Sequence, residues 1–315
     1  MSALPRIFVG VSQFGGYTPD PLAKLQKRYQ IIPNPHGRRL TAEEVVALAQ
    51  DSVGIIAGLE PLQRPVLSAL PNLRCISRVG VGVDNIDLPY AAERKIAVCT
   101  TPDAPTQAVA ELAVGFIFNL LRSVSRSDRA LRRNEWTRIK AMELAGKTVG
   151  VVGLGRIGRR VSEMLQNLQA HVIGCDPTPD TVWCQARGIP VLPLHALLAQ
   201  SDIVSLHLSP QAGAPPLLGA AQLQQMKAGS YLINLARGGT VDEAALYAAL
   251  ESGHLAGAAL DVFAQEPYRG PLTKLEQVIL TAHIGSFTQE SRTLMEQQAA
   301  DNLLLALEEA HAGTR

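Results

Sequence analysis

Several things are scarce in this 315-residue chain, and each scarcity removes a class of protein. Charge of one sign is missing: 29 basic residues face 28 acidic ones, for a formal charge of +1. No general field gathers phosphate backbones or anionic headgroups, so neither nucleic acid nor a membrane is an expected partner. Long hydrophobic runs are missing too. Nothing approaches the roughly 20 apolar residues that cross a bilayer, and the most apolar stretch, 108–121, contains Glu111 and Asn119 and reads as a buried helix. The opening MSALPRIFVGVSQF has no small-residue cleavage site after its short apolar run and does not read as a secretory signal. Cysteine is sparse: Cys75, Cys99, Cys175 and Cys184 show no CxxC or Cys/His ligand spacing. Three of them sit in or beside strand-like runs, where cysteine acts as a small core hydrophobe. No metal site is expected, and a reduced, cytoplasmic setting is.

What the chain does have is core-forming material. At 47% hydrophobic, it can bury the cores of two ordinary domains. Short β-rich runs alternate with helical segments, the pattern of parallel sheets with crossover helices. The first series of strands is predicted at 7–10, 30–32, 53–57, 75–77 and 97–100, with a capping box at Thr41-Ala42-Glu43-Glu44 opening a helix to Ala49. A long helix is predicted over 106–122, followed by a basic amphipathic stretch around 127–136. The second series is predicted at 149–153, 171–176, 203–208, 231–235, 257–262 and 278–281, and a helical pattern fills 288–310.

The run 148–152 enters GLGRIG at 153–158, and a helical RRVSEMLQNL follows. Strand, GxGxxG and helix stand in the order of a dinucleotide fingerprint. Gly153 suits the tight turn, Gly155 a close backbone approach to pyrophosphate, and Gly158 the packing of helix on strand. The helix start then offers N–H groups and a positive dipole end. Asp176 ends the next strand, 18 residues beyond Gly158. Its carboxylate can accept ribose hydroxyls and repel a 2′-phosphate, which favours NAD over NADP.

Three later segments carry chemistry: NLARGG at 234–239, DVFAQEP at 261–267 and HIGS at 283–286. Each follows the C-terminal end of a predicted strand, the edge where open α/β sheets bind ligands. Arg237 offers a fork of donors for a carboxylate, His283 a proton for a carbonyl oxygen, and Glu266 an orienting partner for the histidine. Singly, each has a plainer role: a surface arginine, a turn residue before Pro267, a strand-end histidine. His207, after DIVSL, either borders the cofactor or is structural.

Together with RVGVGVDNID at 78–87, these motifs resemble the D-isomer-specific 2-hydroxyacid dehydrogenases, most of all their phosphoglycerate-dehydrogenase-like branch. The resemblance spans about residues 53–286. It implies a Rossmann-type NAD-binding domain, 103–285, inserted into a flavodoxin-like substrate (lid) domain, 1–102 with 286–315, hinged at the helix from Thr106. It implies a homodimer joined through the NAD domains, with the segment around Trp136 near that contact. It further implies that Arg237 holds the substrate carboxylate beside backbone N–H groups near Val79, Gly80 and Val81, with Arg78 on the substrate side. His283 would be the acid–base, paired with Glu266. Arg156, Ile157, Ala236, Asp261 and Gly285 would join the glycines, Asp176 and His207 around the cofactor, Asp261 at the nicotinamide carboxamide.

Two departures bear on substrate. Ala57 stands where phosphoglycerate dehydrogenases carry an arginine, and Glu60 adds a negative charge close by. That weakens the expected hold on a phosphate dianion, while Arg38, Arg39 and Lys24 are either helpers or solvated charges. After DIVSLHL the family's Pro and Thr are replaced by Ser209 and Ala214 within SPQAGAPP, which bears on cofactor affinity. No C-terminal regulatory extension is expected. The expected reaction is hydride transfer to or from C2 of a small D-2-hydroxy acid, with 3-phosphoglycerate, hydroxypyruvate or glyoxylate chemistry left open. The alternatives are formate dehydrogenase, which lacks a carboxylate at the Glu266 position, and an NAD-sensing binding protein of the same fold.

Overall fold

The computed structural model describes residues 4–209 and 213–312, apart from the side chains of 311 and 312. Part of SPQAGAPP, Pro210 to Ala212, and the side chain of His311 therefore lie outside the described residues. The chain divides into two compact units, Met1–Pro105 with Ser286–Arg315, and Thr106–Gly285. The first crossing falls where the long helix begins, three residues beyond the sequence boundary of 102/103.

The first unit is a five-stranded parallel sheet of β1 (Arg6–Val9), β2 (Gln30–Pro33), β3 (Ser52–Ala57), β4 (Cys75–Arg78) and β5 (Ala97–Cys99), in the order β2-β1-β3-β4-β5. This is the flavodoxin-like order, whose switch point lies between β1 and β3. One face packs Phe8, Ile55 and Ile76 against helices α2 (Ala42–Ala49) and α3 (Arg64–Ser68). The Thr41 box is formed as read: the Thr41 hydroxyl accepts the Glu44 N–H at 3.3 Å, and the Glu44 carboxylate accepts the Thr41 N–H at 2.9 Å. The other face packs Ile7, Ile56 and Cys75 under Met295, Ala299, Leu303 and Leu307 of α12 (Gln289–Ala312). Residues far along the chain thus close the first core. Each large apolar side chain buried in this way contributes about 1.5–3 kcal/mol.

The second unit carries six parallel strands: β6 (Thr148–Val152), β7 (His171–Cys175), β8 (Ile203–Leu206), β9 (Ser230–Asn234), β10 (Leu255–Leu260) and β11 (Val278–Leu280). They run in the order β11-β10-β9-β8-β6-β7, and a single parallel bridge from Gly174 to Val191 adds a rudimentary strand beyond β7. The order reverses at β6, so its C-terminal end is the switch point of a Rossmann-type sheet. Helices α5 (Thr106–Arg122) and α7 (Arg156–Asn167) cover one face with Phe116, Ile117, Val161 and Leu165. The apolar stretch 108–121 is a core helix, and among the described residues no single helix is long and apolar enough to cross a membrane.

One element departs from the sequence reading. The basic amphipathic helix α6 spans Val124–Arg132, earlier than 127–136, and meets α5 at a bend of 60°. Ser123 between them takes a left-handed φ of +51°, a break that an uninterrupted helical pattern does not show. Glu135 and Trp136 fall outside the helix, and Trp136 is exposed.

Candidate active site

The glycine turn after β6 uses its three glycines differently. Gly153 has φ +93°, and a Cβ there would meet the His207 carbonyl oxygen at 2.6 Å. Gly158 could not carry a Cβ at all: it would stand 1.8 Å from the Gly153 carbonyl oxygen. Gly155 caps α7, is exposed, and has nothing within 4 Å of the Cβ position. Internal packing therefore accounts for the first and third glycines, and open space at the second suits a ligand's close approach. Arg156 follows exposed at the helix start and Ile157 is half-buried.

Asp176 is tied to this turn. One oxygen accepts the Leu154 N–H at 2.7 Å and the other the Thr178 N–H at 2.8 Å. Each oxygen keeps further acceptor capacity for a hydroxyl group. His207 closes the other side of the switch point. Its Nε2 lies 2.7 Å from the Ser205 hydroxyl, and its Nδ1 is buried without a partner. Burial pushes its pKa down to about 4, so the ring is neutral at physiological pH. The residues present fit a dinucleotide: an open glycine position, a twelve-residue helix pointing its start at it, and an acidic strand end.

Three neighbouring strands carry the remaining candidates. Asn234, Leu260 and Leu280 stand in register across β9, β10 and β11, so the connections bearing Arg237, Glu266 and His283 leave the same sheet edge side by side. Gly238 lets two of them touch, since a Cβ there would stand 1.8 Å from the Phe263 carbonyl oxygen. Buried Asn234 braces the first connection, accepting the Ala236 N–H at 3.0 Å and donating to the Arg237 carbonyl at 3.1 Å. Arg237 is half-buried and donates through Nη1 to the Ala236 carbonyl at 2.7 Å.

His283 and Glu266 meet. His283 Nδ1 lies 3.0 Å from Glu266 Oε2, while Glu266 Oε1 accepts the Phe263 N–H at 3.2 Å. With Nδ1 on the carboxylate, Nε2 is the nitrogen left for proton exchange. His283 holds a left-handed φ of +54°, a conformation costing a non-glycine residue about 1–3 kcal/mol. Asp261, only 2% exposed, offsets that cost. Its carboxylate accepts the Ile284 and Gly285 N–H groups, each at 2.7 Å, and the Thr281 hydroxyl at 2.5 Å, and its carbonyl accepts the His283 N–H at 3.0 Å. Asp261 thus first serves as the tether of the histidine loop. Sequence reasoning did not find the roles of Asn234, Gly238 and Thr281: Gly238 and Thr281 act through contacts with another connection, while Asn234 acts locally, as an Asx turn that its place at the end of a strand could have signalled.

On the first unit, Arg78 is 8% exposed and folded back on its own turn, donating to the carbonyls of Val79 and Gly82. The Val79 N–H goes to the Ala57 carbonyl and the Gly80 N–H to the Thr101 hydroxyl, both at 2.9 Å; Val81 is exposed. Of the possible helpers, Arg38 pairs with Glu44 through both Nη atoms and Lys24 pairs with Asp301, while Arg39 lies near enough to Glu60 for its charge to act there. Among the described residues, no group of three or more His, Cys, Asp or Glu side chains could hold a metal ion.

A parallel sheet with its glycine turn at the switch point, and a His–carboxylate pair on the same edge, defines the class as a dinucleotide-binding α/β protein. Comparison with known proteins narrows this. Residues 114–285 match the model of the NAD binding domain of D-isomer specific 2-hydroxyacid dehydrogenases. The chain is 38% identical to D-3-phosphoglycerate dehydrogenase of Archaeoglobus fulgidus over 76% of its length and 46% of the relative's. It is 39% identical to glyoxylate reductase of Thermofilum pendens over 84% of its length and 81% of the relative's. The crystal structure of D-lactate dehydrogenase from Aquifex aeolicus, complexed with NAD and lactic acid, superposes with a TM-score of 0.86 at 26% identity, covering 96% of each chain. This chain belongs to the D-isomer specific 2-hydroxyacid dehydrogenase family, and NAD is the cofactor of its second unit. It spans about half the length of the phosphoglycerate dehydrogenases it matches.

Proposed function

We propose that the chain is an NAD-dependent oxidoreductase interconverting a small D-2-hydroxy acid and its 2-oxo acid. The observation that carries this reading is the His283–Glu266 contact on the connections adjoining that of Arg237, in the unit that also holds the glycine turn. Bound NAD supplies or accepts the hydride. Gly155 and the start of α7 would hold its diphosphate on the turn that Gly153 and Gly158 shape, Asp176 would hold its ribose, and Arg156, Ile157, His207, Ala236 and Gly285 would line its place. Asp261, besides tethering the loop, has acceptor capacity for the carboxamide.

Arg237 binds the substrate carboxylate and draws electron density from the C2 oxygen. His283 Nε2 gives that oxygen a proton during reduction and removes it during oxidation. Glu266 fixes the ring by accepting from Nδ1, which leaves Nε2 facing the proton exchange. On the first unit the turn from Arg78 to Val81 is the candidate carboxylate-binding turn; its Val79 and Gly80 N–H groups go to the Ala57 carbonyl and the Thr101 hydroxyl, which leaves the exposed Val81 as its candidate donor. The second unit is the NAD domain, the first the substrate-binding (lid) domain, and α5 the hinge.

We further infer a homodimer through the NAD domains, supported by the exposed Val124, Leu131 and Trp136 on and beside α6, and a cytoplasmic setting, supported by four free cysteines. NADH oxidation with glyoxylate, hydroxypyruvate and phosphohydroxypyruvate tests the activity. Turnover with at least one is expected. Tight NADH binding without turnover on any of them would instead make the chain a cofactor sensor. His283→Ala and Arg237→Ala should each lower kcat by about 10²–10⁴ while NAD still binds; near-normal turnover in either removes the mechanism.

A further inference from the structure

The switch point of the first sheet, between the ends of β1 and β3, is where a flavodoxin-like fold receives an anionic ligand. Here it is filled from within. Glu60, on the connection after β3, is 2% exposed, and both its carboxylate oxygens accept the Gly58 N–H at 3.0 Å. Its own backbone N–H also binds the carboxylate. The Gly58 and Glu60 N–H groups thus converge on one anion, a nest-like arrangement of the kind by which loops bind phosphate.

The glycines around it are required by this carboxylate. A Cβ at Gly10, at the end of β1, would stand 2.1 Å from Glu60 Oε1, and one at Gly58 would stand 2.9 Å from Oε2. Asn85 locks the turn, donating to the Glu60 carbonyl at 2.6 Å and the Gly58 carbonyl at 3.3 Å. Burial raises the Glu60 carboxyl above its ordinary range, against the pull of its nest and of Arg78 and Arg39 nearby.

We propose that Glu60 is a specificity-determining residue whose carboxylate occupies the anion nest of the first sheet and so directs the enzyme to unphosphorylated 2-oxo acids. This rests on the oxidoreductase reading above. The internal carboxylate engages the donors a phosphate dianion would need, and it sets a negative charge against one arriving at that edge. It touches no substrate itself.

The test compares wild type with Glu60→Gln, which removes the charge, and Glu60→Ser, which also empties the nest. The ratio of kcat/KM for phosphohydroxypyruvate to that for hydroxypyruvate should rise about tenfold in Glu60→Gln, the order of effect of one nearby charge, and further in Glu60→Ser. Inorganic phosphate should raise the unfolding temperature of Glu60→Ser and leave that of wild type unchanged, a readout independent of turnover. An unchanged ratio alongside intact hydroxypyruvate turnover overturns the proposal and leaves the dehydrogenase reading standing. Absence of turnover with every acid in wild type removes that reading, and phosphate binding by Glu60→Ser then still reports on the nest. Should the Glu60 variants not fold, Leu59→Arg adds a cation at an exposed position of the same turn. A folded Leu59→Arg whose ratio equals that of wild type overturns the proposal equally.

Discussion

The two switch points invite comparison. Both sheets are parallel, both reverse their strand order at one strand, and both place glycines at the C-terminal end of that strand. In the second unit, the turn after β6 leaves the Gly155 position open, with the start of α7 behind it. In the first, the equivalent edge is closed by the Glu60 carboxylate pressed against Gly10. Topology builds an anion-binding crevice wherever a parallel sheet reverses its strand order. A single side chain then decides whether the crevice serves a ligand or the protein itself.

The comparison breaks first at Gly158. If its role is packing, Gly158→Ala should lower stability by about 3 kcal/mol, because the new methyl group meets backbone rather than a movable side chain. Denaturant unfolding would show it, and an unchanged midpoint would mean the turn is more pliant than its contacts imply. His207, whose carbonyl presses on Gly153, gives a smaller effect that depends on pH. Its folded pKa of about 4 lies below the ordinary 6.5. As pH falls through that window, the unfolded chain binds a proton that the folded chain refuses, so stability is lost. His207→Gln should remove a loss of about 2 kcal/mol by pH 5. Buried Glu60 and Glu296 act the other way: their carboxyls are raised by burial, so acid relieves a cost they impose. They are common to both proteins, so the difference between wild type and variant isolates the histidine. Equal pH profiles would show that His207 titrates normally. The smallest effect sharpens the contrast most. Gly155→Val should weaken NAD binding at least about tenfold without changing the unfolding temperature, because its Cβ enters open space. A fall in stability there would mean that the second turn, too, is shaped by internal packing.

Much of this was legible in the sequence because it is local. The long helix spans Thr106–Arg122 as its apolar pattern predicts, and the Thr41–Glu44 box needs only four residues to declare itself. The glycine turn is equally local, since strand, turn and helix start are contiguous. The start of α6 was misplaced because the break at Ser123 is a single left-handed residue inside a continuous pattern. The braces of the candidate site escaped notice for a different reason: Gly238 matters through Phe263, and Asp261 through residues 281 to 285.

The amino-acid pattern by itself determined two α/β units, a dinucleotide turn and the residue types needed for carboxylate binding and proton transfer. These follow from hydrophobic period and turn chemistry, both read over a few residues. Tertiary structure alone decided which residues of α12 close the first core, that Asp261 holds the histidine loop in its left-handed turn, and that Glu60 fills one crevice while Gly155 leaves the other open. Each of these depends on which strands become neighbours, and strand order is set by burying both faces of a sheet at once.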